Sequence, residues 1–182
     1  LWDNPTTPSH FSQVYGQRGS RLGGMIVVPL YTPRGKILGF EARSVKKDLF
    51  QYRLPNSKWN PAFLGLNRFM SSIWSGSKIW IVEGLYDYAV LRRVIPPNQA
   101  VLATLRAAMT HRHIKFLSRY SRGGVRLAYD NDPSGRSAIV GDGKKRGVLH
   151  SLRRNGVTLV EDHRYLGKDP ADLWLKGKDQ AL

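Results

Sequence analysis

From Lys78 to Leu175 the sequence keeps one rhythm, a short apolar run followed by a longer amphipathic one. "KIWIV", "QAVLAT", "VRLAY" and "GVTLVED" read as strands, because they are short, β-branched and bounded by turn residues. Between them, "GLYDYAVLRRVI" puts Leu85, Tyr88, Leu91 and Ile95 on one helical stripe, and "THRHIKFLSRY" reads as a second helix. Pro133 opens a long helical stretch to about Arg154, weakened by Gly141, Gly143 and Gly147, and "DPADLWL" reads as a short last helix. Parallel neighbours need a crossover between them, so this alternation predicts an α/β domain with a parallel sheet covered on both faces.

The chain before Lys78 has a different character. Residues 1–24 are polar, with Pro5, Pro8 and "GQRGSRLGG", and read as an arm. "MIVVPLYTPRGKILGFEARS" places two apolar runs around Pro33-Arg34-Gly35-Lys36 and reads as a β-hairpin. "LFQYRLP" adds a strand, and "NPAFLGLNRF" a short strand and turn. The expected organisation is therefore an arm over 1–24, a small basic β-rich subdomain over 25–76 and the α/β domain over 77–182.

Charge narrows the partner. Residues 1–76 hold ten Lys and Arg against three Asp and Glu, and the whole chain of 182 residues carries a formal +16. That balance points to a polyanion, nucleic acid before a membrane. No run has transmembrane length and no signal-peptide pattern opens the chain, so an intracellular, cytoplasmic setting is expected. With no cysteine there is neither a disulfide frame nor a cysteine-based zinc site. A first residue of Leu1 suggests a piece of a longer protein.

Against that charge, the placement of the few acids is informative. In α/β sheets, ligands gather at the carboxyl ends of strands. Glu83 closes "IWIV", and Asp87 follows one helical turn on; Asp130 and Asp132 close "VRLAY"; Asp169 follows the last strand. An i, i+2 spacing in extended chain directs Asp130 and Asp132 the same way. Carboxylates so gathered repel unless a cation compensates, and hard oxygen donors without a His or Cys cluster suit Mg²⁺ or Mn²⁺. An isolated Asp-x-Asp would be an ordinary turn with a helix cap.

Taken together and in this order, "VEGLYD" and "YDNDPSGR" resemble the Glu and Asp-x-Asp motifs of TOPRIM domains. Upstream, "MIVVPLYTPRGKILGFEAR" with Gly39, Phe40 and Arg43 is similar to the segment before TOPRIM in DnaG-type primases, and "FLGLNRF" to its link into the first TOPRIM strand. "GKDPADL" resembles the family's Asp-Pro motif, and "IWSGSKIWIVEG" is as similar to phage helicase–primases as to cellular ones. The resemblance spans roughly residues 21–176. Arg106-Ala107 departs from the Gly-Thr usual after the second strand, and Ala171 separates Pro170 from Asp172.

What the resemblance implies is RNA primer synthesis on single-stranded DNA from nucleoside triphosphates, with a replicative helicase in cis or in trans. Asp130, Asp132 and Asp169 would hold Mg²⁺ or Mn²⁺, Glu83 would be a ligand or general base, and Asp87 metal-linked or orienting. Arg43 matches a basic position of the primase motif, while Lys46, Lys47, Lys58 and Arg68 are nominated for template binding by charge alone. Arg136 either meets phosphate or offsets the acids. Tyr52, Trp59 and Phe69 either stack on bases or pack in a core. His111 and His113, at a helix start, read as surface residues, and "GKKRG" as a solvated face. The rivals are a TOPRIM nuclease using the same acids, a topoisomerase, and a non-catalytic DNA-binding or recombination module.

Overall fold

The computed structural model describes residues 25–44, 51–53, 63–106, 108–143 and 145–177. Lys46, Lys47, Lys58, Trp59 and the arm expected over 1–24 lie outside them, as does the side chain of Tyr52. The chain divides into two units, one within Leu1–Pro29 and Gly39–Ser57, the other within Leu30–Leu38 and Lys58–Leu182.

The first sheet has three strands in the order β1-β2-β3: Met25–Tyr31, Ile37–Ser44 and Gln51–Arg53. β2 and β3 are antiparallel, with Ala42 opposite Tyr52. Pro29 falls inside β1, which runs two residues past it. A residue without an N–H is tolerated there because β1 is an edge strand. The turn is closed by Gly35, at φ +79°, whose N–H donates to the Thr32 carbonyl at 2.9 Å.

The second sheet is wholly parallel. Its strands are β4 (Ile79–Val82), β5 (Ala100–Ala103), β6 (Val125–Leu127) and β7 (Val160–Asp162), in the order β5-β4-β6-β7. Every side chain of β4 and β5 is buried, as alternating residues can be only when both faces are covered. The helices between and after them are α2 (Leu85–Val94), α3 (His111–Tyr120), α4 (Pro133–Val140), α5 (Val148–Arg154) and, beyond β7, α6 (Pro170–Leu175).

Three expectations need correction. The link Phe63–Phe69 is more than a strand and a turn: Leu64 bridges Ala103, Gly65 turns at φ +87°, and helix α1 runs Leu66–Trp74. Its buried stripe is Leu66, Phe69, Met70 and Ile73, which places Phe69 in the core. The stretch Pro133 to Arg154 is two helices. Gly141, at φ +103°, ends α4 and pairs with Arg146 across a tight hairpin before α5 begins. His113 is fully buried rather than at the surface, while His111 is exposed. The Thr110 hydroxyl caps α3 by accepting from the His113 N–H, and the His113 Nδ1 accepts in turn from the Thr110 N–H. The ring packs on Phe63 at 4.2 Å, and burial, then Arg106, push its pKa down to about 3.

Candidate metal centre

Strand order decides where a ligand can sit. The chain goes from β4 out to β5 on one side, then returns past β4 to β6 on the other. Beyond the carboxyl ends of β4 and β6 the crossovers diverge and leave a crevice. Glu83 follows the last residue of β4, and Asp130 stands three residues after β6.

Each of the other acids is held by a helix start. Asp87 lies in the first turn of α2, buried, where the helix dipole favours an anion. A side chain at Gly84 would stand 2.5 Å from its Oδ2, so glycine there leaves room for the carboxylate to fold back. Asp132 caps α4, its Oδ1 accepting from the Gly135 N–H at 2.9 Å; Asp169 caps α6, its Oδ1 accepting from the Asp172 N–H at 2.7 Å. Both caps are followed by proline at the first helical position, one device used twice.

Asp87, Asp130 and Asp169 converge, one carboxylate oxygen of each lying within 4.8 Å of the others. Two ionised carboxylates at that spacing repel by roughly 3 kcal/mol at an effective dielectric of about 20, so the cluster must hold either protons or a cation. Burial first, then Asp87, Asp169 and Asp132, raise the Asp130 carboxyl from 3.8 to about 6, against the pull of Lys168. Burial and then Asp169 raise Asp87 as well, opposed by the Ala171 N–H, which donates to its Oδ1 at 3.3 Å. Glu83 stands close by: burial, Asp130 and Asp132 push its carboxyl from 4.5 to about 7. A backbone hydrogen bond from Asp130 opposes the rise, and among the described residues the Glu83 Oε1 is buried with no hydrogen-bond partner. An orphaned buried oxygen beside three convergent carboxylates fits a hard divalent cation such as Mg²⁺ or Mn²⁺.

Asp87, read from sequence as metal-linked or orienting, joins the cluster, whereas the Asp132 carboxylate is engaged in capping α4. Arg136 meets Asp162 in a bidentate pair, Nη1 to Oδ1 at 2.9 Å and Nη2 to Oδ2 at 2.8 Å. Arg43 pairs with the buried Glu41 at 2.9 Å within the first unit, and Arg68 is exposed on α1.

Two contributors escaped the sequence reading. Asn131, between the aspartates, donates from its backbone N–H to the Lys168 carbonyl at 2.6 Å. Its amide donates to the carbonyls of Tyr165 and Gly167 at 3.3 and 3.4 Å. Tyr165, 3% exposed, donates its hydroxyl to the Ala128 carbonyl at 3.3 Å, and burial and then the three carboxylates raise its pKa. These bonds tie the loop bearing Asp169 to the strand end bearing Asp130. The middle residue of an Asp-x-Asp carries no sequence mark of such a role.

Residues 80–172 match the family described as Toprim-like. The chain is 28% identical over 163 residues to the DNA primase of Helicobacter pylori, which covers 86% of this chain and 27% of that protein. It therefore spans about a quarter of the length of such curated relatives. Among solved structures, the zinc-binding and RNA polymerase domains of the Aquifex aeolicus primase superpose with a TM-score of 0.68 at 25% identity, covering 86% of this chain and 38% of that one. The primase fragment of the bacteriophage T7 primase-helicase shares the fold, at a TM-score of 0.65 and 19% identity, covering 85% of this chain and 59% of the other. With the match spanning half of its length, the chain belongs to the Toprim-like family.

Proposed function

We propose that this chain is the catalytic core of a DNA primase, joining ribonucleotides on a single-stranded DNA template. The observation that carries the reading is the convergence of Asp87, Asp130 and Asp169 beyond the strand ends of a Toprim-like segment. Similarity to curated DNA primases over most of the chain supports it.

In this reading Asp87, Asp130 and Asp169 hold Mg²⁺ or Mn²⁺. When bound, the cation neutralises charge on a nucleoside triphosphate and on the oxygens of the displacement. Glu83, with its pKa near 7 and an unpaired buried Oε1, is poised to accept the proton of an attacking 3′-hydroxyl. Asp132 keeps α4 capped, and Asn131 and Tyr165 hold the Asp169 loop in place. Arg136, anchored by Asp162, presents a fixed guanidinium beside the Asp-x-Asp turn. Arg43, Arg68, Lys46, Lys47 and Lys58 remain our candidates for template contact, and the division at residues 24 and 76 our proposed domain organisation. A helicase partner and a cytoplasmic setting belong to the same proposal.

The test is incubation with single-stranded DNA, labelled ribonucleotides and Mg²⁺ or Mn²⁺. Template-dependent oligoribonucleotides are expected. Degradation of the DNA without synthesis would replace the primase reading by a Toprim-like nuclease using the same acids.

A further inference from the structure

Lys145 and Arg146 of the basic stretch line a groove. An open cavity of about 310 Å³ lies between the start of α3, the flank of α4, the hairpin at Gly141–Gly147 and the first turns of α5. Its lining includes Ser134, Ser137 and Ser151, the cations Lys145 and Arg146 and the single acid Asp142.

Glycine is required on either side of these cations. Gly141 and Gly143 adopt φ +103° and +83°, which L side chains rarely do. A side-chain carbon at Gly141 would lie 2.4 Å from the Lys145 carbonyl oxygen, and one at Gly147 2.1 Å from that of Ile139. The Lys145 N–H donates to Asp142 Oδ1 at 2.8 Å, so Asp142 closes the turn beneath the cations. Lys145 and Arg146 thus follow a turn closed by Asp142.

The groove also adjoins the acid cluster. Ser134, which lines the cavity, lies in the first turn of α4, four residues beyond Asp130. The first turn of α4 is seated so closely that a side-chain carbon at Gly135 would lie 2.1 Å from the Asp130 carbonyl oxygen.

We propose that this groove grips the phosphodiester backbone of one strand of single-stranded nucleic acid beside the acid cluster; the proposal rests on the polymerase reading above. Hydroxyls and cations are the groups that meet phosphate oxygens without reading sequence. A polymer fits better than a free nucleotide. Lys145 and Arg146 are exposed and long, which suits a strand that slides, whereas capture of one phosphate calls for a buried, fixed charge.

The test is titration of a labelled oligo(dT) across salt by fluorescence anisotropy. It compares the full chain with the Lys145→Ala/Arg146→Ala variant and with Arg119→Ala/Arg153→Ala. The last removes equal charge from exposed positions turned away from Ile114 on α3 and from Val148 and Ser151 on α5. Loss of two phosphate contacts should reduce the slope of log K against log salt by about 1.4, so that the fall in affinity between about 50 and about 200 mM salt becomes roughly sevenfold smaller. The control pair should move it by less than half of that. Ser137→Asp, an anion set into the wall, should weaken binding without a charge deletion. Equal losses in the groove and control pairs, no effect of Ser137→Asp, or no binding by the wild type would each overturn the groove. Groove-dependent binding without primer synthesis would support the groove while removing the primase reading. Synthesis that is unimpaired, with binding untouched by the groove variants, would do the reverse.

Discussion

Asp130 sits at the centre of the electrostatics. It faces Asp87 and Asp169 at ligand distance and also raises Glu83. Asp130→Asn removes one charge at constant shape, so the metal-free protein should melt at the same temperature or higher. Metal-dependent synthesis should disappear; unchanged product yield would remove Asp130 from the site. Asn131 makes a subtler case. Asn131→Ala deletes two partly exposed hydrogen bonds from its amide but keeps the backbone bond to Lys168. At about 0.5–1.5 kcal/mol for a typical bond, the metal-free variant should melt a few degrees lower, and Mn²⁺ should bind more weakly because the Asp169 loop is less firmly held. Mn²⁺ titration followed by electron paramagnetic resonance measures it. Asn131→Asp should do worse than alanine, because a carboxylate would face two carbonyl oxygens and add an anion beside the cluster.

At the scale of elements, α4 and α6 are short helices whose first residues are their functional ones. Each is started by an Asp cap and a proline, and each thereby carries an acid of the strand-end set to its place. Gly135→Ala tests how tightly α4 is seated. Alanine favours a helix by up to about 1 kcal/mol over glycine. Against this, its added carbon would stand 2.1 Å from the Asp130 carbonyl oxygen, a backbone atom that cannot swing aside. Overpacking of this kind costs typically 1–3 kcal/mol, so the clash wins. The variant should lose about that much in urea unfolding and bind Mn²⁺ more weakly, because α4 must back away from Asp130. A neutral or stabilising result would mean that the first turn of α4 is more loosely seated than the structure has it.

For the whole molecule, the cluster couples stability to pH in an unusual direction. Glu83 and Asp130 have folded pKa values of about 7 and about 6, above their ordinary 4.5 and 3.8. Between those limits the unfolded chain releases protons that the folded chain keeps. Their contribution is therefore greatest below about pH 4 and falls as pH rises towards 7. In chelator, Glu83→Gln should flatten that decline relative to the wild type, as read from melting temperatures across the window. A parallel decline in both proteins would count against Glu83 as the source. A divalent cation requires the ionised carboxylates, so Mn²⁺ affinity should rise over the same interval.

Much of this was legible along the chain. Alternating short apolar and amphipathic runs determine a parallel α/β sheet, because only crossovers can join parallel neighbours. Acids at strand ends mark a ligand crevice because that is where crossovers diverge. Helix α1 was legible in principle, since Leu66, Phe69, Met70 and Ile73 have helical spacing, but no cap or acidic first turn announces it. The break between α4 and α5 turned on backbone angles at Gly141 and Gly143, and glycine permits such angles without requiring them. His113 could not be placed from its position in a helix, since burial depends on what packs opposite, here Phe63. Which carboxylates converge was likewise a tertiary matter. Asp87, Asp130 and Asp169 are separated by 43 and 39 residues, and the strand order with the ties from Asn131, Tyr165 and Ala171 brings them together. Residue types and spacing determine local conformation and which groups can bind a cation; the register of distant segments decides which of them meet.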